Sequence, residues 1–223
     1  MKKIFPGEVY EVLPVTNGII FSYCKDVVDE KVAVAYKMIS FTNGSFTDIT
    51  RNVYLITKFG NNYKTLAKLC ENYITEKAIL LPGGKVFLMS TADGSARFSD
   101  FNGTIIWEGD FTYRGLKPSD LLLYNNALWV SYPDCNALIR YSLNTMHEDL
   151  RIGGNNSPFD KPKDLFLEGE NAMIVNTGSN KLIRLNLKNY DVFEYETFDE
   201  PLYQYVSVGD KRFVVLESGL YLI

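Results

Sequence analysis

From Asp120 onward the chain alternates short apolar runs with turn residues: LLLY, Asn125-Asn126, ALWVSY, Pro133-Asp134, ALIRYSL, a break at Asn144, then EDLRIG. Runs of this length, with period-two alternation and bounded by Asn, Pro and Gly, predict short antiparallel strands joined by tight turns. The next stretch repeats the pattern as DLFLEG, NAMIVN, KLIRLNL and YDVFEYET, with breaks near Gly169, Gly178 and Asn189. Asp120 and Asp164, Leu138 and Leu182, and Arg140 and Arg184 each stand 44 residues apart. A constant offset across whole strand sets defines a structural repeat of four strands.

Upstream, the same grammar reads EKAILLP, Gly83-Gly84, KVFLMST, Asp93-Gly94, SARFSDF, Asn102-Gly103, TIIWEGDF. Asn-Gly and Asp-Gly between apolar runs are hairpin signals, because such turns need positive φ angles that Gly and Asn tolerate. A further unit is predicted from GIIFSYC, KVAVAYKMI, NVYLITKF and YKTLAKLC, carrying an insertion around SFTNGSFTDIT. The last unit holds only three strands: YQYVSVG, KRFVVLE and LYLI. The N-terminal GEVYEVLPV is predicted to supply the fourth, closing a ring and hiding the sheet edges.

These units predict an all-β, five-bladed β-propeller, four antiparallel strands per blade, at about 45 residues per blade. The blades fall near 16–72, 73–112, 113–154, 155–200, and 201–223 with 7–14. Four or six blades follow if the first unit is miscounted. A β-sandwich or a lipocalin-like barrel also has alternating strands, but neither explains the 44-residue offset.

The Pro-x-Asp-Leu entry, a strand such as ALWVSY, and LIRYSL or LIRLNL before a polar turn resemble the NHL and YncE-like propeller repeats. The resemblance is weak over the whole chain and clear from Lys117 to Leu187. It implies that innermost strands line a central channel, and that connections between blades and between second and third strands share one face, the usual binding face. Here those connections are 13–18, 39–50, 72–77, 91–94, 111–120, 131–136, 155–164, 176–180 and 200–204. Many unrelated activities use such repeats.

On this frame Asp120, Asp164 and Gln204 begin successive innermost strands, with Glu76 or Lys77 at the corresponding place earlier. Two readings follow. Each side chain can accept backbone N–H bonds at the blade-to-blade turn, as Asx side chains do. Alternatively, the group converges on a ligand or divalent cation at the channel mouth, a cation needing further ligands such as Glu76, Asn176 or Asp134. Trp129 is expected in the core and Trp107 between blades. Tyr113, Tyr132, Phe159 and Tyr203 fall in loops of the binding face, where a ring can stack on a sugar, clamp a peptide, or pack between blades.

Composition narrows the partners. The 223 residues are 46% hydrophobic and 22% charged, with net charge −4 and no basic stripe, so nucleic acid is not expected. The start MKKIFPGEVYEVLPV lacks a continuous apolar h-region, and no apolar run approaches the roughly 20 residues that span a bilayer. A cytoplasmic, monomeric protein without membrane association is expected. Cys24, Cys70 and Cys135 form no C-x-x-C pair and read as reduced, packed thiols. His147, the only histidine, is expected on the surface of the opposite face. No G-x-S-x-G, H-E-x-x-H, Walker A or G-x-G-x-x-G motif occurs. The expected function is therefore non-enzymatic binding or scaffolding of a protein, peptide or small polar ligand such as a glycan, without cofactor. The alternative is a carboxylate-dependent hydrolase or lyase at the channel mouth. A lectin with one site per blade is disfavoured by the unequal loops.

Overall fold

The computed structural model describes residues 1–71 and 77–223. The chain divides into two compact units, residues 1–63 with 198–223, and residues 64–197. In the first unit the strands are β1 (Lys2–Pro6), β2 (Val9–Val15), β3 (Gly18–Val28), β4 (Lys31–Ser40) and β5 (Phe46–Ile49), followed by helix α1 (Arg51–Phe59). Helix α2 (Tyr63–Glu71) leads into the second unit. That unit holds β6 (Lys77–Leu81), β7 (Lys85–Met89), β8 (Ser95–Asp100) and β9 (Ile105–Asp110). It continues with β10 (Asp120–Tyr124), β11 (Ala127–Tyr132), β12 (Ala137–Ser142) and β13 (Glu148–Gly153). Its last sheet is β14 (Pro162–Glu168), β15 (Asn171–Asn176), β16 (Lys181–Asn186) and β17 (Val192–Thr197). The chain ends with β18 (Leu202–Val208), β19 (Lys211–Leu216) and β20 (Gly219–Leu222) in the first unit.

These strands make five antiparallel sheets of four, the blades of a five-bladed β-propeller. The turn chemistry explains the hairpins. Asn125 and Asn126 sit at φ 47° and 59°, the left-handed pair that a two-residue turn requires, and Gly83 and Gly84, at 76° and 71°, supply the positive φ angles of the three-residue turn between Leu81 and Lys85. Burial explains the loss of alternation in the middle strands. All six residues of β11 and five of six in β15 are buried, because both faces of an inner sheet are covered, whereas β9, β13 and β17 are largely exposed. In the second unit one apolar cluster joins the β6–β9 and β10–β13 sheets through Phe87, Phe111, Leu128 and Val130. A second joins β10–β13 to β14–β17 through Trp129, Leu138, Ile174 and Leu185.

Two sequence expectations are corrected. The strand that completes the C-terminal sheet is Lys2–Pro6, which pairs with β20 from Lys2↔Leu222 to Pro6↔Gly219. Residues 7–14 do not fill that place; most of them form β2, which pairs with β3. Gly7, at φ 100°, turns the chain between the two segments, and the short KKIFP, with its apolar residues adjacent rather than alternating, carries a weaker strand signal than the VYEVLPV that follows. Gly219 has Phe5's carbonyl where a Cβ would stand, so that pairing admits only glycine there.

The second correction concerns NVYLITKF and YKTLAKLC, which are helices rather than strands, so the first blade is 9–49 and not 16–72. Thr50 caps α1 by accepting the Val53 N–H, and Gly60 at φ 65° ends it. One helical turn apart, Tyr54 and Lys58 both reach Glu11 of β2: the Tyr54 hydroxyl donates to Oε2, and Lys58 Nζ lies 2.8 Å from Oε1. That (i, i+4) pair marks period 3.6, not 2.

Candidate functional site

At Asp120 and Gln204 the entry residue acts as a fastener between inner strands. Asp120, buried at the start of β10, accepts the Leu165 N–H of β14 through Oδ2 at 2.8 Å, and its Oδ1 lies 2.9 Å from Lys77 Nζ. Its own N–H donates to Ser131 Oγ at 3.0 Å. Gln204 does the equivalent work in the other unit: Oε1 accepts the Val12 N–H at 2.7 Å and Nε2 donates to the Val12 carbonyl at 3.1 Å. Inner strands of neighbouring sheets do not share a ladder, and a side chain from one saturates a backbone group of the next. Asp164 is half-buried at the matching position of β14, opposite Val175. Glu76 lies outside the described residues.

Two of the candidate aromatics are buried in the core, Tyr132 at the end of a strand and Phe159 within the 155–164 connection where the sequence places it. Tyr132 ends β11 fully buried; its hydroxyl donates to the Phe111 carbonyl at 2.6 Å and shares a 2.8 Å bond with Tyr141. Burial pushes both phenols above their ordinary pKa. Phe159 is 2% exposed and packs with Trp129 and Leu165, so neither ring offers a face to solvent. Asn176 is buried, its Nδ2 3.5 Å from the Pro158 carbonyl and its Oδ1 without a partner among the described residues. Tyr203 is exposed on β18.

Tyr113 is in a different position. It lies half-buried in the connection between β9 and β10, held by a two-way backbone pairing with Leu116. Two guanidiniums lie over its ring, Arg114 at 5.2 Å and Arg151 at 5.4 Å from the centroid, while Tyr132 meets it edge-on at 5.8 Å. Arg114 stands at φ 54° beside Gly115 in a left-handed turn, and Arg151 on the exposed outer strand β13. The connections before β10, between β11 and β12, and after β13 leave from the same strand ends, so these groups share one end of the sheet. Lys117 and Lys161, the lysines of the two Lys-Pro entries, are exposed at the entries to β10 and β14, with Lys163 nearby. None of these five cations has an ion-pair partner among the described residues. Asp134, Asp160 and Asp164 are the acidic groups of the same connections and entry.

Cys135 lies close by, and burial raises its thiol pKa, outweighing the opposing influence of Arg114, so the thiol is not activated. Among the described residues no group of three or more His, Cys, Asp and Glu could hold a metal ion, and no helix is long and apolar enough to cross a membrane. The sequence reading missed Arg114 and Arg151. The only advance signal was the Arg114-Gly115 pair in the 111–120 connection.

The class defined by the fold is the β-propeller. No protein-family model matches the chain, and no curated protein does. Among solved structures, virginiamycin B lyase from Staphylococcus aureus with quinupristin is 13% identical, with a TM-score of 0.55 over 94% of this chain and 76% of that one. Saccharomyces cerevisiae Sqt1 is 12% identical at TM-score 0.54, covering 96% and 72% respectively. Kluyveromyces lactis Hsv2 is 10% identical at 0.50, covering 97% and 60%. At these identities the likeness is one of fold, shared by a lyase and by proteins of other names.

Proposed function

We propose that this chain is a non-enzymatic binding propeller of the NHL and YncE-like repeat type, working in the cytoplasm, whose loop face around Tyr113 holds an acidic segment of a partner protein. The observation that carries the reading is the pair of guanidiniums over one aromatic ring without any acidic partner among the described residues. Guanidinium forks hold carboxylates through paired, charge-assisted hydrogen bonds, and the phenol supplies a rigid apolar flank. Lys117, Lys161 and Lys163 add long-range attraction and a steep salt dependence. Asp120 works against a hydrolytic channel mouth, because both its oxygens already serve Leu165 and Lys77.

The test is fluorescence anisotropy with a labelled decapeptide rich in Glu and Asp, against a peptide of the same length with Lys in those positions. The acidic peptide should bind and weaken as salt rises. Arg114→Gln and Arg151→Gln should each cost about tenfold, as expected for one charge-assisted contact. Equal binding of both peptides, or an unchanged affinity in the double variant, overturns the assignment. Tyr203→Ala belongs in the same titration, since its exposed ring is the remaining aromatic candidate.

A further inference from the structure

At the opposite strand ends from Tyr113, the second unit contains a cleft of about 450 Å³, within the range of small-ligand sites. It lies between the β10–β11 hairpin and the turn that joins β16 to β17. Buried Trp129 contributes to its lining. The Arg140 guanidinium lies 5.8 Å from the Trp129 ring centroid and 5.9 Å from that of Tyr190. Arg140 is held from two sides: Nε donates to Asp149 Oδ1 and Nη1 to the Tyr190 hydroxyl, both at 2.7 Å. Asn126 is set by donating Nδ2 to Asn144 Oδ1 at 3.0 Å, which leaves its own carbonyl oxygen as an acceptor.

The charges of this lining are cancelled. Arg140 is paired with Asp149, and Lys188 with Glu170. What remains is a set of amides, hydroxyls and aromatic edges, with the Trp129 indole N–H buried and lacking an acceptor among the described residues. A charged ligand would have to displace an internal partner, whereas a neutral, hydroxyl-rich ligand with apolar CH faces meets both kinds of group.

The internal repeat separates architecture from specialisation. Forty-four residues away, the entry aspartate and the strand arginine recur, as Asp164 for Asp120 and Arg184 for Arg140. The cleft's own groups do not: Trp129 corresponds to Met173, Asp149 to Phe193, and Tyr190 to Met146. The turn that carries Tyr190 is built equally well by Met146, with φ 56° against 65° and the same backbone bond to the residue four earlier. The blade therefore folds without the phenol, and the Trp-Arg-Asp-Tyr set belongs to this cleft alone among the copies compared. We infer that the cleft is a binding site for a neutral sugar unit, separate from the loop face.

A free sugar and a residue within a glycan chain share this chemistry. The chain has two tryptophans, so Trp107→Phe leaves Trp129 as the sole reporter. Glucose, galactose, mannose and N-acetylglucosamine, with cellobiose, lactose and chitobiose, are titrated while Trp129 emission is followed. Glycerol, phosphate and glutamate are the controls. At least one neutral sugar should give a saturable change, and Tyr190→Ala should weaken it by about tenfold or more, the loss of a central aromatic contact. Tyr190→Phe keeps the ring and removes only the hydroxyl, and it should weaken binding less, with an unchanged melting midpoint that confirms the fold. A disaccharide binding more tightly than its monosaccharide assigns the cleft to a chain, and equal affinity to a free sugar. No response to any sugar, a response to phosphate or glutamate instead, or a sugar response unaffected by Tyr190→Ala overturns the inference.

Discussion

Removing the Asp120 carboxylate tests whether the repeated entry residue is a fastener. In Asp120→Ala the Leu165 N–H loses its acceptor inside a buried region, which costs about 1–3 kcal/mol. Lys77 also loses the Asp120 carboxylate, but its side chain is 33% exposed and reaches water, so this adds about 1 kcal/mol at most. The expected loss is about 3 kcal/mol, or about 6–12 °C in melting midpoint for a chain of this size. Asp120→Asn keeps an oxygen that can face Leu165 and gives up only the charge, so about 1 kcal/mol is expected. Urea unfolding followed by tryptophan emission reads both values by linear extrapolation. If Ala costs no more than Asn, or less than about 1 kcal/mol, the backbone bond is not what the position supplies and the fastener reading fails.

Other consequences follow from the same geometry. Gln204→Ala removes both bonds to Val12 and should cost about 1–2 kcal/mol in the same unfolding assay. Tyr132→Phe strips the buried Phe111 carbonyl of its donor and should cost about 1–3 kcal/mol, whereas a stacking platform on the surface would lose almost nothing. Glu200 offers a pH test. Burial raises its pKa, but the Ser218 hydroxyl and N–H, both at 2.8 Å, outweigh that and hold the folded carboxyl below its ordinary value. The resulting stability is present above the unfolded-state pKa and disappears as pH falls through the folded one. Ser218→Ala should therefore lower the melting midpoint at neutral pH, with the gap to the parent protein narrowing in acid; a gap that widens in acid contradicts the assignment.

The fold was legible where the repeat was strong. The Asp120/Asp164 and Arg140/Arg184 offsets and the Asn125-Asn126 turn led directly to sheets that the structure contains. Legibility failed at the first unit for a physical reason: NVYLITKF is apolar enough for a strand, and only the Thr50 cap and the Tyr54/Lys58 spacing distinguish a helix. Tyr132 looked like a loop residue because the strand ALWVSY meets a Pro-Asp turn immediately, and one residue of boundary error moves a side chain from core to surface. The cationic frame of Tyr113 was hidden for another reason. Arg114 and Arg151 are 37 positions apart in sequence, and only the return of β13 to the strand end where β10 begins brings them to one ring.

Architecture at Asp120 and recognition at Tyr113 are separable claims, and one crossed measurement sets them against each other. Acidic-peptide affinity and unfolding free energy are determined for Asp120→Asn and for the Arg114→Gln/Arg151→Gln pair. The predicted result is that the aspartate variant loses stability while the folded protein keeps its affinity, and that the arginine pair keeps its stability while losing affinity about a hundredfold. Loss of affinity in Asp120→Asn with the arginine pair still binding would place recognition at the channel mouth and contradict the account.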